Sequence, residues 1–140
     1  MITNLNRFLS PHENDYQRAL SEIKSGKKIS HWMWYIFPQI KGLGNTDYAK
    51  LYAIQNLAEA KEYINHPILG AHLLEISTEL LKLQSNDAFE IFGKPDNRKL
   101  KSCMTLFAQI IDDLVFTKVL EKFFEGEMDQ KTLDILAQDK

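Results

Sequence analysis

Ten consecutive positions of this 140-residue chain carry side chains suited to ligand binding or proton transfer. The segment 30–39, SHWMWYIFPQ, contains both tryptophans of the chain and one of its four histidines. An imidazole titrates nearest neutral pH, which makes His31 the candidate catalytic residue for proton transfer. Indole faces can stack on a flat ring, so Trp32, Trp34 and the nearby Gln39 are candidate ligand-binding residues. The alternative, that these rings only pack in the core, stays open.

A second candidate site is a basic turn that precedes a predicted helix. The segment 93–107, GKPDNRKLKSCMTLF, places four of its basic residues around the start of that helix. Free backbone N–H groups and the helix dipole already favour an anion there, so a phosphate or carboxylate would offset the repulsion of the added cations. The candidate ligand-binding residues are Asp96, Arg98, Lys99, Ser102 and Thr105. The alternative is a solvated charged turn, and the glycine and Lys-Ser/Thr spacing is not that of a Walker loop.

Helices must position both candidates, and capping residues indicate where the helices begin. The predicted caps are Ser10 (with Pro11 at the first helical position), Ser30, Thr46, Asn56, Asp112 or Asp113, and Asp129, and Asn86 is predicted to start a short helix. The helix that Ser30 opens should end at Pro38 and be buried on all sides, because it is apolar at every azimuth. Gly42 and Gly44 predict a loop with unusual backbone conformations or close approaches, and Gly70 predicts close packing inside a long helix.

Apolar residues recur with helical spacing along the chain, and strand-type alternation is absent. The sequence therefore predicts an all-α fold, one domain over residues 1–140, with about eight short-to-medium helices. No internal repeat of solenoid length is visible, which favours a compact bundle with orthogonal packing.

Composition limits the functions that this chain can perform. A formal net charge of -2 with 26% charged residues argues against general nucleic-acid binding through bulk charge. No apolar run approaches the roughly 18 residues of a membrane span, and the N-terminus lacks a signal-peptide pattern. Cys103 is the single cysteine, which excludes an intrachain disulfide. We expect it to be a small buried thiol, and the alternative is a nucleophile activated by its cationic neighbours. We expect a cytoplasmic protein without a metal or cofactor, since the histidines also lack HExxH-like spacing.

Several blocks together resemble one bacterial and fungal family of unknown function, often labelled calpastatin in genomes. The blocks are SHWMW at 30–34, FPQ at 37–39, GLG at 42–44, HP at 66–67, LG at 69–70, IFG at 91–93 and SCMTLF at 102–107. The resemblance covers nearly the whole chain and implies an all-α fold without an assigned activity. Protease inhibition of the calpastatin type uses disordered segments, which differ from this helical and hydrophobic pattern.

The order of elements is also similar, more distantly, to that of the NADAR proteins. The similar positions are Phe37-Pro38, Tyr52, Leu73-Leu74, Phe92-Gly93 and Leu100 to Met104. That family is mostly helical and acts on NAD- and ADP-ribose-derived molecules, and the resemblance implies a ligand of that kind.

Two hypotheses of function follow. In the first, the domain binds, and as an enzyme would hydrolyse, a nucleotide-type or ADP-ribose-like ligand that bears phosphate. In the second, it is a non-catalytic protein-interaction module whose basic turn meets an acidic partner. Convergence of His31, Trp34 and Lys99 on one cleft would favour the first hypothesis, and their separation would favour the second.

Overall fold

A computed structural model describes residues 5–139 of the chain and contains nine α-helices in that range. They are α1 (Asn6–Lys24), α2 (Met33–Ile36), α3 (Asp47–Leu51), α4 (Leu57–Asn65), α5 (Leu69–Leu81), α6 (Ala88–Phe92), α7 (Asp96–Ala108), α8 (Val115–Phe124) and α9 (Gln130–Gln138). One isolated parallel β-bridge joins Ile40 and Ile54. The prediction of a compact all-α fold is confirmed, with nine helices in the described residues instead of about eight.

Two long central helices organise the packing. Helix α5 packs against α1, α4 and α8, and α7 packs against α6, α8 and α9. Large side chains from distant parts of the chain fill the space between them, and Phe8, Tyr16, Trp32, Phe107 and Phe116 are all buried. No helix within residues 5–139 is both long enough and apolar enough to cross a bilayer. Cys103 is buried as expected.

The predicted start of the first helix at Ser10 is wrong. Helix α1 begins at Asn6 and contains Pro11. Proline removes one backbone hydrogen bond there, but tertiary contacts hold the preceding turn. Phe8 is fully buried, and the guanidinium of Arg7 pairs with Glu59 while donating a hydrogen bond to the Leu51 carbonyl at 2.8 Å. Packing therefore overrides the local capping pattern.

The predicted helix from Ser30 to Pro38 is also too long, because only Met33–Ile36 are helical. Ser30 is not a cap: its hydroxyl donates to Oε2 of Glu22 at 2.6 Å. Trp32 and Met33 are buried as expected, whereas Trp34 is only half-buried, so the segment is not enclosed on all sides.

Glu22, near the end of α1, is the buried group that holds this segment. Its carboxylate accepts hydrogen bonds from the Ile29 and Ser30 amides, the Ser30 hydroxyl and the Trp32 indole, at 2.6–2.9 Å. Burial by itself raises the pKa of Glu22, but these donors outweigh it and lower the pKa to about 2. The carboxylate thus stays charged and fixes the chain on either side of α2.

Three of the predicted caps are confirmed, whereas Asp87 instead of Asn86 caps α6, and α8 begins after Leu114 instead of after Asp112 or Asp113. The side chain of Thr46 accepts a hydrogen bond from the Ala49 amide, Asn56 from Glu59, and Asp129 from Thr132. These caps begin α3, α4 and α9. Each side-chain oxygen satisfies an amide that the helix itself leaves free.

Gly70 allows the close packing that the sequence predicts. A Cβ atom at this position would lie 1.9 Å from the carbonyl oxygen and 2.5 Å from the carbonyl carbon of Ile64. The obstacle is backbone, which cannot rotate away as a flexible side chain can. The contact joins the first turn of α5 to the end of α4.

We expect Glu22→Gln to lower the free energy of unfolding by about 2–3 kcal/mol at neutral pH, because an amide cannot accept all the hydrogen bonds that the carboxylate receives. The folded-state pKa of Glu22 lies below the ordinary value of 4.5, so its contribution is complete above that pH and is lost as pH falls toward 2. Urea unfolding measures both effects. The difference between wild type and variant should shrink across that pH window, and the exposed Glu62→Gln serves as the control. A pH-independent difference would contradict the role given to the charge.

We expect Gly70→Ala to destabilise the protein by more than about 2 kcal/mol, although alanine is the better helix former by about 1 kcal/mol. The reason is the clash with the Ile64 backbone. Thermal unfolding would detect the loss, and an unchanged or higher melting temperature would show that α4 and α5 can separate without cost.

Candidate functional site

A surface cleft of about 440 Å³ lies between the start of α7 and the loop that follows Gln39. Helix α7 contributes Arg98, Lys99 and Ser102, and the segment around the start of α9 contributes Asp129 and Lys131. The opposite wall is formed by residues 43–46 and Ala49. A smaller recess with Trp34 and Tyr52 in its wall adjoins the cleft and shares Gln39 with it.

Two glycines shape the loop wall, as the sequence predicts. Gly42 has a positive φ of 106°, a conformation that other residues rarely adopt. Gly44 lies so close to α3 that an added Cβ would be 2.6 Å from the Cβ of Ala49. At the base of the loop, the Ile54 amide donates to the Gln39 carbonyl and the Lys41 amide to the Ile54 carbonyl, both at 2.8 Å. The loop is therefore closed at its base and held tightly against α3.

Lys99 is held at the edge of the cleft by two neighbours. Its ammonium lies 4.9 Å from the centre of the Trp34 ring and 3.4 Å from Oδ1 of Asp96. Asp96 has a shorter contact with Lys28, 2.8 Å from Oδ2 to Nζ, and the Lys28 side chain is only 7% exposed. One carboxylate is thus shared by two ammonium groups, which leaves a net positive charge at the start of α7.

Two further cations of the cleft have no counter-ion within residues 5–139. Neither the Arg98 guanidinium nor the Lys131 ammonium forms an ion pair or hydrogen bond with the described residues, and both residues are exposed. The carboxylate of Asp129 is already used, since its Oδ2 accepts from the Thr132 amide and hydroxyl. The net charge of the side chains that line the cleft is therefore positive.

The structure divides the candidate residues predicted from the sequence into three groups. Gln39, Arg98, Lys99 and Ser102 line the cleft, with Trp34 in the adjoining recess and Asp96 paired to Lys99. Trp32 and Thr105 are fully buried; they bond to Glu22 and to the Asp129 amide respectively. His31 is exposed and does not line the cleft. Trp34 and Lys99 therefore converge, but His31 is separate from them.

Sequence reasoning did not identify Asn45, Thr46 or Lys131 as residues of the cleft. Asn45 and Thr46 directly follow the glycine loop. A prediction that this loop lies against α7 would therefore have placed both residues in the cleft. Lys131 lies on α9 among other exposed charges, and nothing in its local sequence distinguishes it.

The sequence profile of a family described as protein of unknown function DUF1810 matches residues 2–136 of the chain. The chain belongs to the DUF1810 family. The crystal structure of the conserved hypothetical protein Rv1873 from Mycobacterium tuberculosis is similar to this fold, with a TM-score of 0.93 and 40% sequence identity over 95% of this chain and 96% of that chain. No curated protein matches. The resemblance to a family of unknown function is confirmed, while these matches give no support to the calpastatin label or the NADAR similarity.

Within residues 5–139, no three His, Cys, Asp or Glu side chains come together in a way that could hold a metal ion. The side chains that line the cleft include cationic nitrogens, amides and hydroxyls, all of which can donate hydrogen bonds to an anion.

We expect the two tryptophans to differ in their contribution to stability. Trp32→Ala should cost about 3–5 kcal/mol, the usual range for a buried aromatic residue, because Trp32 is fully buried and bonded to Glu22. Trp34→Ala should cost only about 1–2 kcal/mol, since the ring is half-buried beside the cleft. Chemical denaturation of both variants makes the comparison. Equal losses would show that Trp34 is also a core residue.

Proposed function

We propose that this protein binds a small phosphate-bearing ligand of the nucleotide or ADP-ribose type in the cleft between α7 and the glycine loop. The observation that carries the proposal is the meeting of Arg98, Lys99, Ser102 and Lys131 on one cleft whose carboxylate is already bonded. These side chains come from α7 and α9, so the positive surface depends on the fold rather than on a single basic segment. We further propose that the protein acts in the cytoplasm.

The cations of the cleft suit a phosphate group in different ways. The guanidinium of Arg98 has a planar set of donors that matches two phosphate oxygens. Lys99 acts as a point charge whose position is set by Asp96 and Trp34. The Ser102 hydroxyl donates to the Arg98 carbonyl at 3.2 Å, so an incoming anion would compete for that hydrogen.

The recess beside the cleft gives the proposal its second part. Trp34 and Tyr52 bring aromatic surface to within reach of Gln39, which lines both spaces. Because Lys99 covers one face of the Trp34 ring, we assign Trp34 the role of holding Lys99. The recess has room for only about 20 Å³, so the ligand's flat group would lie in the adjoining cleft beside Gln39. The NADAR similarity adds NAD and ADP-ribose to the ligands worth testing.

The proposal concerns binding and gives no catalytic role to His31, which does not line the cleft. Hydrolysis of the ligand would need a proton-transfer group close to it. The interaction-module hypothesis uses the same positive surface, with an acidic protein segment in place of the phosphate.

Thermal unfolding and calorimetric titration against inorganic phosphate, ADP, NAD, ADP-ribose and a sugar phosphate, with adenosine as the uncharged control, test the proposal. A phosphorylated ligand at 100 times its dissociation constant adds about 2.7 kcal/mol of stability, which raises the melting temperature by several degrees. Adenosine alone should give little change. A flat response to every phosphorylated compound would overturn the proposal.

Alanine variants locate the binding site of any ligand found. Arg98→Ala and Lys99→Ala should each weaken binding by about 10- to 100-fold, the effect of losing one charge-assisted hydrogen bond of about 1.5–3 kcal/mol. Lys94→Ala is the matched control, because Lys94 belongs to the same basic turn and is exposed but does not line the cleft. An equal loss in all three variants would indicate diffuse attraction to the turn instead of a site in the cleft.

A further inference from the structure

Two histidines from distant parts of the sequence form a hydrogen-bonded pair between α1 and α5. Nε2 of His12 lies 2.8 Å from Nδ1 of His72, and the two ring planes differ by only 6°. His12 is 1% exposed, whereas His72 is half-buried. The pair thus runs from the core to the surface, and a single proton is shared at its centre.

The surroundings of His12 decide which ring donates that proton. Nδ1 of His12 is buried and has no hydrogen-bond partner of normal geometry within residues 5–139, but the Tyr35 backbone interacts with the ring and favours its protonation. Because Nε2 of His12 already faces His72, we assign the proton that the Tyr35 backbone favours to Nδ1 of the neutral ring. Nε2 of His12 then accepts, His72 donates from its own Nδ1, and Nε2 of His72 is left as a bare acceptor.

Burial keeps both rings in the form that this arrangement requires. It lowers the pKa of His12 to about 4, with a further decrease from His72, and it also lowers the pKa of His72. Both imidazoles are therefore neutral at physiological pH. A neutral His72 can accept a proton or a hydrogen bond at Nε2.

Tyr16 fixes the orientation of the His72 ring. The two rings are stacked, with centres 3.8 Å apart and planes within 2° of each other. The Tyr16 hydroxyl donates to Oε1 of Glu75 at 2.5 Å and also lies 3.1 Å from the His72 carbonyl. With one ring face covered and Nδ1 engaged, Nε2 is the atom of His72 that remains for a ligand.

A groove of about 420 Å³ lies against this pair. Its apolar wall is Leu9, Pro67 and Ile68, and its polar residues besides the pair and Tyr16 are Glu13 and Gln17. No lysine or arginine lines it, in contrast to the cleft at α7. The groove therefore offers a neutral nitrogen acceptor, a carboxylate and an apolar surface.

We propose that this groove is a second ligand site, which binds a small aliphatic amine in its ammonium form, with Nε2 of His72 and the carboxylate of Glu13 accepting its hydrogen bonds. An ammonium group has three hydrogen-bond donors and no acceptor. It can therefore donate both to Nε2 of His72 and to the Glu13 carboxylate, and neither group repels it. The carbon chain would lie on Leu9, Pro67 and Ile68, the last of which is 49% exposed. Anions are disfavoured because Glu13 is unopposed by any cation in the groove. His12 is a positioning residue that sets the tautomer of His72.

The first test of this proposal is the protonation state of the pair, measured by nitrogen-15 NMR of the imidazole side chains at neutral pH. We expect His12 and His72 both to carry the proton on Nδ1, and Nε2 of His72 to be bare. A proton on Nε2 of His72 would make that atom a donor and would overturn the proposal. His12→Phe removes the acceptor for Nδ1 of His72, and in a folded variant we expect His72 to become a mixture of tautomers.

The second test is the binding of isobutylamine, isobutanol and isobutyrate, which have the same branched carbon skeleton and differ in the polar group. Isobutylammonium should shift the His72 Nε2 resonance saturably, isobutanol more weakly, and isobutyrate not at all. Equal binding of the alcohol and the amine, binding of the acid, or no saturable shift with the amine would each overturn the assignment.

Two variants link the binding to the groove. Glu13→Gln is an exposed change that should leave the fold intact, and it should weaken amine binding by about tenfold, the loss of one charge-assisted hydrogen bond. His72→Phe keeps a ring on Tyr16 but removes the acceptor, and it should reduce binding by at least as much. Glu62→Gln is the matched control on α4 and should bind as wild type does. If Glu62→Gln weakens binding as much as Glu13→Gln, the amine binds to general surface charge and the proposal fails. This test can be separated from that of the cleft at α7. Lys99 does not line the groove, so Lys99→Ala should leave amine binding unchanged.

Discussion

The buried carboxylate of Glu22 is the interaction on which the arrangement of both sites depends. A charge that leaves water must be met by hydrogen bonds, or it costs several kcal/mol. The donors that meet it are the two amides, the hydroxyl and the indole of residues 29–32. The chain is therefore obliged to return onto the end of α1 before α2 can begin. The direction in which α2 presents its side chains follows from that return.

Helix α2 is only four residues long, yet it contacts both candidate sites. Trp34 lies under the Lys99 ammonium on the side of the cleft at α7. The backbone of its neighbour, Tyr35, interacts with His12 and also accepts a hydrogen bond from the Tyr63 hydroxyl at 3.2 Å. The Tyr35 hydroxyl in turn donates to Asp15 of α1. Consecutive residues thus support two differently charged surfaces, one lined by cations and one with the Glu13 carboxylate and no lysine or arginine in its lining.

Local chemistry in the sequence was enough to predict the helical fold, several helix starts and the main residues of the cleft. Thr46, Asn56 and Asp129 each accept from an amide three residues away, which a short pattern can reveal. Ser30 misled the prediction because its partner is Glu22 on another helix, and Arg7 extended α1 through contacts more than 40 residues away. His12 and His72 are separated by 60 positions and lack any motif spacing. Their pairing arises from the packing of α1 on α5, which the sequence alone does not define.

The β-bridge between Ile40 and Ile54 has a consequence for local stability. The bridge joins the two ends of the segment 40–54, which contains α3. None of the residues of α3 is buried. Little apolar surface would be exposed if α3 alone opened, so the free energy of that local opening should be low. Amide hydrogens of α3 should consequently exchange with solvent by local opening, far faster than those of α5 and α7. One wall of the cleft at α7 is therefore built on a helix with little protection, and the other wall on α7, in which residues 102–107 are all buried.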